Sequence, residues 1–164
     1  MPDLADVPHL TTPTDPNPTP PTTSPDAPVR FDTKIAVILL EDLAVWQALN
    51  VTAFVVSGIA GSDPDLIGEP YLDGDDTAYL AMIRQPVLVF SGSSAQLTAI
   101  HTAGLRRGFA MAIYTRDLFG TGNDRDNRAA VRAVRRDDLD LVGIALRGPR
   151  NAVDKTMKGI DLHT

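Results

Sequence analysis

The chain has 164 residues, room for one ordinary domain, with 43% hydrophobic residues and a formal net charge of −6. That charge argues against a phosphate-backbone binder, so nucleic acid is not an expected partner. The absence of cysteine excludes disulfides, thiolate nucleophiles and cysteine-ligated zinc or iron–sulfur sites, and fits a reducing, cytoplasmic location.

In chain order, residues 1–30 come first, with nine of the thirteen prolines and seven serines or threonines. They cannot bury enough apolar surface to offset the entropy of ordering, so residues 1–33 are expected to be a disordered tail. The tail has no basic start and no apolar core, unlike a secretory signal. Lys34–Leu40 follows as a continuous apolar run, the pattern of a strand covered on both faces. Leu43–Ala60 is long enough for a helix, with Gln47, Asn50, Thr52 and Ser57 among apolar residues and Gly61 as its stop. No stretch reaches about 18 uninterrupted apolar residues, so no membrane span is expected.

Ser62–Asp76 reads as loop, with a short strand over Pro70–Asp73. Pro86–Phe90 is the second clear strand, and Ser93 or Ser94 can cap a helix running to about Arg107. Phe109–Tyr114 is a third strand, Asp124–Arg136 a helix, and Leu139–Leu146 a fourth strand. Pro149 suits the first turn of a last helix closed by Gly159. The alternation predicts an α/β fold: a three-layer α/β/α sandwich over residues 34–164 with a mostly parallel, mixed four-stranded sheet.

The start Lys34–Leu40 with Asp42-Leu43, and the end Gly143-Ile144, Gly148-Pro149 and Lys158–Leu162, resemble the peptidyl-tRNA hydrolases of type II. Gln47–Val51, Gly68–Tyr71, Thr121–Asp124 and Val153–Gly159 are similar still more closely to the bacterial family called domain of unknown function 2000. The resemblance implies the hydrolase scaffold and a homodimer using the apolar first helix. It does not carry the activity across. The catalytic lysine of those hydrolases corresponds to Leu49, or to Asn50 with a one-residue insertion, and no basic residue lies between Ile35 and Ile83. Neither side chain can stabilise a developing oxyanion as a cation does.

In open α/β sheets, ligands sit beyond the carboxyl ends of the strands. That rule nominates Asp42, Gln47, Asn50, Ser93, Thr115, Asn123, Asp124 and Arg147 for a small polar or anionic ligand, with Asp42 and Asn50 as catalytic candidates. Each has a structural reading beside this one: Asp42, Ser93, Asn123 or Asp124 as helix caps, and Arg147 in an exposed turn. The acidic cluster Asp73, Asp75 and Asp76 lacks the register and closing glutamate of a calcium loop, so no metal is expected, and no cofactor. Two classes stay open: a binding or interaction module without turnover, and an ester hydrolase with a relocated site. The second requires Asp42, Asn50 and Arg147 to converge.

Overall fold

β1 (Thr33–Leu40) takes up the lysine-led run, and its last six residues are all buried. A strand with no side chain to spare for solvent needs cover on both faces. That cover is present in the computed structural model, which describes residues 29–163. The expected tail, up to residue 28, lies outside the described residues.

After β1 come α1 (Val45–Ser62), a short ribbon of β2 (Tyr71–Leu72) and β3 (Ala78–Tyr79), and β4 (Val87–Gly92). Next are α2 (Ser94–Arg106), β5 (Ala110–Thr115), α3 (Asp124–Arg132), β6 (Leu141–Pro149), α4 (Arg150–Thr156) and β7 (Asp161–Leu162). Gly108, at φ 66°, lets the chain leave α2 and turn into β5.

The expected sheet needs correction in count and in direction. It has five strands, in the order β5-β6-β1-β4-β7, because the chain beyond Gly159 (φ 83°) returns to pair with Phe90 and Ser91. Of the neighbouring pairs only β1 and β4 are parallel; β6 is antiparallel to both β1 and β5, and β7 to β4. Continuous apolar runs report burial on two faces, and burial does not fix strand direction. The connection after β5 decides it. The Arg116 N–H donates to the Asp140 carbonyl at 2.9 Å, so the chain leaves β5 and re-enters β6 at the same end of the sheet.

Consequently β1, β4 and β5 finish at one end, here called the upper end, where β6 begins. Arg147, near the finish of β6, lies opposite Ile35 and Ala110 at the lower end.

α1 packs on β1, β5 and β6 through a stripe of Ala48, Val51, Val55 and Ile59. It comes close because β6 carries Gly143 beneath it: a Cβ there would sit 2.1 Å from Val51 Cγ1. The next residues along β6, Val142 and Ile144, point the other way and are fully buried. α2 and α4 pack on β6 and β1, with Leu97, Ile100, His101 and Val153 buried. Burial pushes the His101 pKa below its usual value, Arg136 pushes in the same direction, and Asp137 opposes them.

α1 is, by length and composition, apolar enough to cross a membrane, yet it lies along the sheet. Of its apolar residues only the stripe Ala48, Val51, Val55 and Ile59 is buried. Val45, Trp46, Leu49 and Phe54 are between 51% and 77% exposed.

Candidate functional site

Trp46, Asn50 and Phe54 recur every four residues on α1, a spacing that stacks them along one face of the helix. This face is turned from the buried stripe toward the connection that follows β5. Between the two lies a cleft of about 390 Å³, lined also by Tyr114, Leu118, Phe119, Thr121, Asn123, Asp124 and Asn127.

Four aromatic rings form its walls in a continuous chain. Trp46 meets Phe119 edge-on at 5.6 Å between centroids, Phe119 meets Tyr114 at 5.1 Å, and Tyr114 meets Phe54 edge-on at 5.8 Å. Such tilted contacts suit the ring quadrupole. Tyr114 is buried, which raises its pKa, so the phenol keeps its proton and donates to Asn50 Oδ1 at 3.2 Å. Asn50 Nδ2 then remains a donor without a partner among the described residues.

On the opposite wall the Thr121 hydroxyl donates its one hydrogen to the Leu118 carbonyl at 2.8 Å. Its oxygen also lies against Asn127 Oδ1, which sets two acceptors on one hydroxyl hydrogen. With that hydrogen committed, the amide group meeting Thr121 is best assigned as the NH₂, since amide O and N exchange places by a flip. That leaves the Asn127 carbonyl oxygen as a free acceptor. Asn123 is used structurally: its Oδ1 accepts from the Asp126 N–H at 3.0 Å and caps α3. Asp124, in the first turn of α3, pairs with Arg128.

Of the residues nominated from sequence, Asn50, Asn123 and Asp124 line this cleft. The others are elsewhere. Asp42 is exposed and caps nothing; the N-cap of α1 is Ala44, whose N–H donates to Gln47 Oε1 at 3.0 Å. Ser93 caps α2 in a reciprocal box with Gln96. Thr115 is 1% exposed, and its Oγ1 has no hydrogen-bond partner among the described residues. Arg147, at the lower end, donates to Asp63 Oδ2 at 3.0 Å. The convergence of Asp42, Asn50 and Arg147 does not occur, because β6 runs antiparallel to β1 and takes Arg147 to the far end of the sheet. Asp73 organises the ribbon turn instead of a cation: it accepts from the Asp75 and Thr77 N–H groups and the Tyr79 hydroxyl, which lowers its pKa.

Sequence reasoning missed Trp46, Phe54, Phe119 and Asn127 as site residues, whereas Tyr114 at its strand end and Thr121 in the 120–124 loop were within its reach. The four-residue spacing of Trp46, Asn50 and Phe54 was the readable signal. A second depression, of about 470 Å³, lies under α3 and shares Leu118, Asp124 and Asn127 with the cleft. It has no aromatic wall, and its Arg128 is already paired with Asp124.

Among known proteins, a solved structure of a protein of unknown function from Agrobacterium tumefaciens strain C58 is 45% identical, with a TM-score of 0.80. The match covers 82% of this chain and 100% of that one. No curated protein matches. Residues 33–164 match the family described as protein of unknown function, DUF2000, and the chain belongs to that family.

Proposed function

We propose that this domain is a non-enzymatic binding module whose small polar ligand sits in the upper-end cleft. The observation that carries this reading is the aromatic-walled cleft itself, in which two asparagine side chains each keep one hydrogen-bonding atom unused. Small-ligand sites have this make-up: apolar walls and a few fixed polar groups. Among the described residues no Lys, Arg or His lines the cleft, which favours a polar ligand over an anionic one. The scaffold supporting it is the three-layer arrangement of the peptidyl-tRNA hydrolase type II kind, with α1 on one face of the sheet and α2 and α4 on the other.

Turnover would need a nucleophile, a base and a stabiliser of developing charge in mutual reach. Ser91 Oγ and His163 Nδ1 are 2.5 Å apart, but neither lines the cleft and no acidic side chain hydrogen-bonds His163 among the described residues. The positions that the resemblance assigns to the catalytic lysine hold Leu49 and Asn50.

A thermal-shift screen of the full chain against sugars, amines, carboxylates and heterocycles tests the reading. Some compounds are expected to raise the melting temperature, and Phe54→Ala to abolish the shift. A screen in which nothing stabilises the protein, or in which Phe54→Ala changes nothing, overturns it.

The homodimer rests on a different observation. The ribbon exposes Tyr71, Leu72, Tyr79, Leu80 and Met82, although two paired strands alone are marginal in water. A second copy offers the apolar complement, and a two-fold pair sets the ribbon of one copy against that of the other. Sedimentation velocity is expected to show a dimer that Leu80→Asp dissociates; a monomeric wild type would end this proposal.

A further inference from the structure

We infer that the ligand of the cleft is an uncharged planar heterocycle whose edge carries an acceptor and a donor, as nucleobases and nicotinamide-type amides do. The inference rests on the binding reading above and narrows it to one chemical class.

The walls argue for a flat ring. Trp46 is 62% exposed and Phe54 is 51% exposed, a large apolar area to leave wet at the mouth of a cleft. Both belong to the aromatic chain that continues through Phe119 and Tyr114 into the interior. A planar π system is the guest that can lie against such faces, and stacking on aromatic side chains tolerates any ring with a π face.

The polar groups argue for a specific edge. Once internal hydrogen bonds are satisfied, the α1 wall presents the Asn50 Nδ2 donor and the α3 wall presents the Asn127 carbonyl acceptor. Asparagine amides read donor–acceptor edges of bases by the same complementarity. Here the two atoms come from two elements, so the ligand would bridge them.

Charge argues for neutrality. Among the described residues the cleft has no cationic side chain, which removes the usual partner of a phosphate or carboxylate. Its one carboxylate, Asp124, is engaged by Arg128, so a cationic ligand finds no free counter-charge. A volume of about 390 Å³, at the small end of ligand sites, suits one or two fused rings better than a nucleotide with its phosphates.

Trp46 is the only tryptophan in the chain, so its fluorescence reports on the cleft directly. The experiment titrates the full chain with adenine, nicotinamide, toluene, benzoate and tetramethylammonium. At least one of the two heterocycles is expected to quench Trp46 saturably, with the other three binding at least about tenfold more weakly. Asn50→Asp keeps an acceptor for the Tyr114 hydroxyl but loses the free donor, so heterocycle affinity is expected to fall about tenfold or more at an unchanged melting temperature. Asn127→Leu, removing the opposite acceptor, is expected to do the same. If neither heterocycle binds while benzoate or tetramethylammonium does, the class is wrong and the binding reading survives. Toluene binding as tightly as the heterocycles, or heterocycle binding indifferent to Asn50→Asp, overturns the amide readout. If none of the five binds, the class falls, and the broader screen decides whether the cleft binds anything.

Discussion

The two ends of the sheet spend their polar groups differently. At the lower end they are tied to one another: Arg147 to Asp63 at 3.0 Å, Lys34 to Asp154 at 2.5 Å, Thr33 to Gln85 at 3.0 Å, and the Arg150 N–H to the Asp32 carbonyl at 2.8 Å. These contacts close the rim of the fold. At the upper end, aromatic rings stand half exposed and two amides hold hydrogen-bonding atoms in reserve. Ion pairs occur at both ends, Arg116 with Asp140 and Arg128 with Asp124 at the upper one, so it is unspent neutral polarity that sets the candidate site apart. A charged residue at a strand end is a poor guide to function until its partner is known.

The largest expected effect tests whether the upper end is as rigid as this contrast requires. α1 carries one wall of the cleft, and it is seated by the missing Cβ of Gly143. Gly143→Ala would drive that carbon into Val51 and is expected to cost about 1–3 kcal/mol in urea unfolding. Adding Val51→Ala should recover part of the loss, because the two changes meet at one contact. A neutral Gly143→Ala would mean that α1 rides loosely on the sheet, and the cleft could not be preformed.

At the lower end, Asp63→Asn is expected to cost about 1–2 kcal/mol, somewhat less than the helix-seating change. The Arg147 guanidinium is three-quarters covered and its Nε already lacks a partner among the described residues, so losing the carboxylate leaves a partly buried cation without its counter-charge. Ligand affinity at the cleft should not change. If Asp63→Asn alters it, the two ends are coupled and the contrast fails.

Much of the fold was legible because hydrophobic period and length are local properties. Ile35–Leu40, the long apolar helix and the serine that caps α2 could all be read from residues a few positions apart. Strand direction was not legible. It depends on where the chain re-enters the sheet after α3, a contact between Arg116 and Asp140 that no local pattern encodes. Reading β6 as parallel also misplaced Arg147, so the error in the sheet became an error in the site. Asn50, Asn123 and Asp124 could be named because polar residues in an apolar helix or a glycine-flanked loop stand out. Trp46, Phe54 and Phe119 could not, because an aromatic residue in the sequence looks the same whether it fills the core or lines a cleft.

A pH titration separates both ends from the interior. His101, held on α2 between them, is buried and has its pKa lowered below the usual 6.5, chiefly by desolvation. Between that lowered value and 6.5 the unfolded chain binds a proton that the folded chain refuses. Stability should therefore fall as pH drops through about 6.5, and this contribution should level off below the folded-state pKa. Urea midpoints for wild type and His101→Gln from about pH 7.5 to 5 check this: the variant's profile should be flatter. Parallel profiles would place the acid-sensitive group elsewhere.

The smallest effect on stability is expected at the proposed site itself. Asn50→Leu removes the acceptor of the Tyr114 hydroxyl, but that hydroxyl borders an open cleft where water can take over, so the cost should stay within about 1 kcal/mol. A fold gains little from a polar group kept unspent for a ligand, so a large loss of ligand affinity with almost no loss of stability is the expected signature of Asn50. The reverse pattern, a clearly destabilised protein whose ligand affinity is unchanged, would assign Asn50 to the same structural role that Arg147 plays at the other end of the sheet.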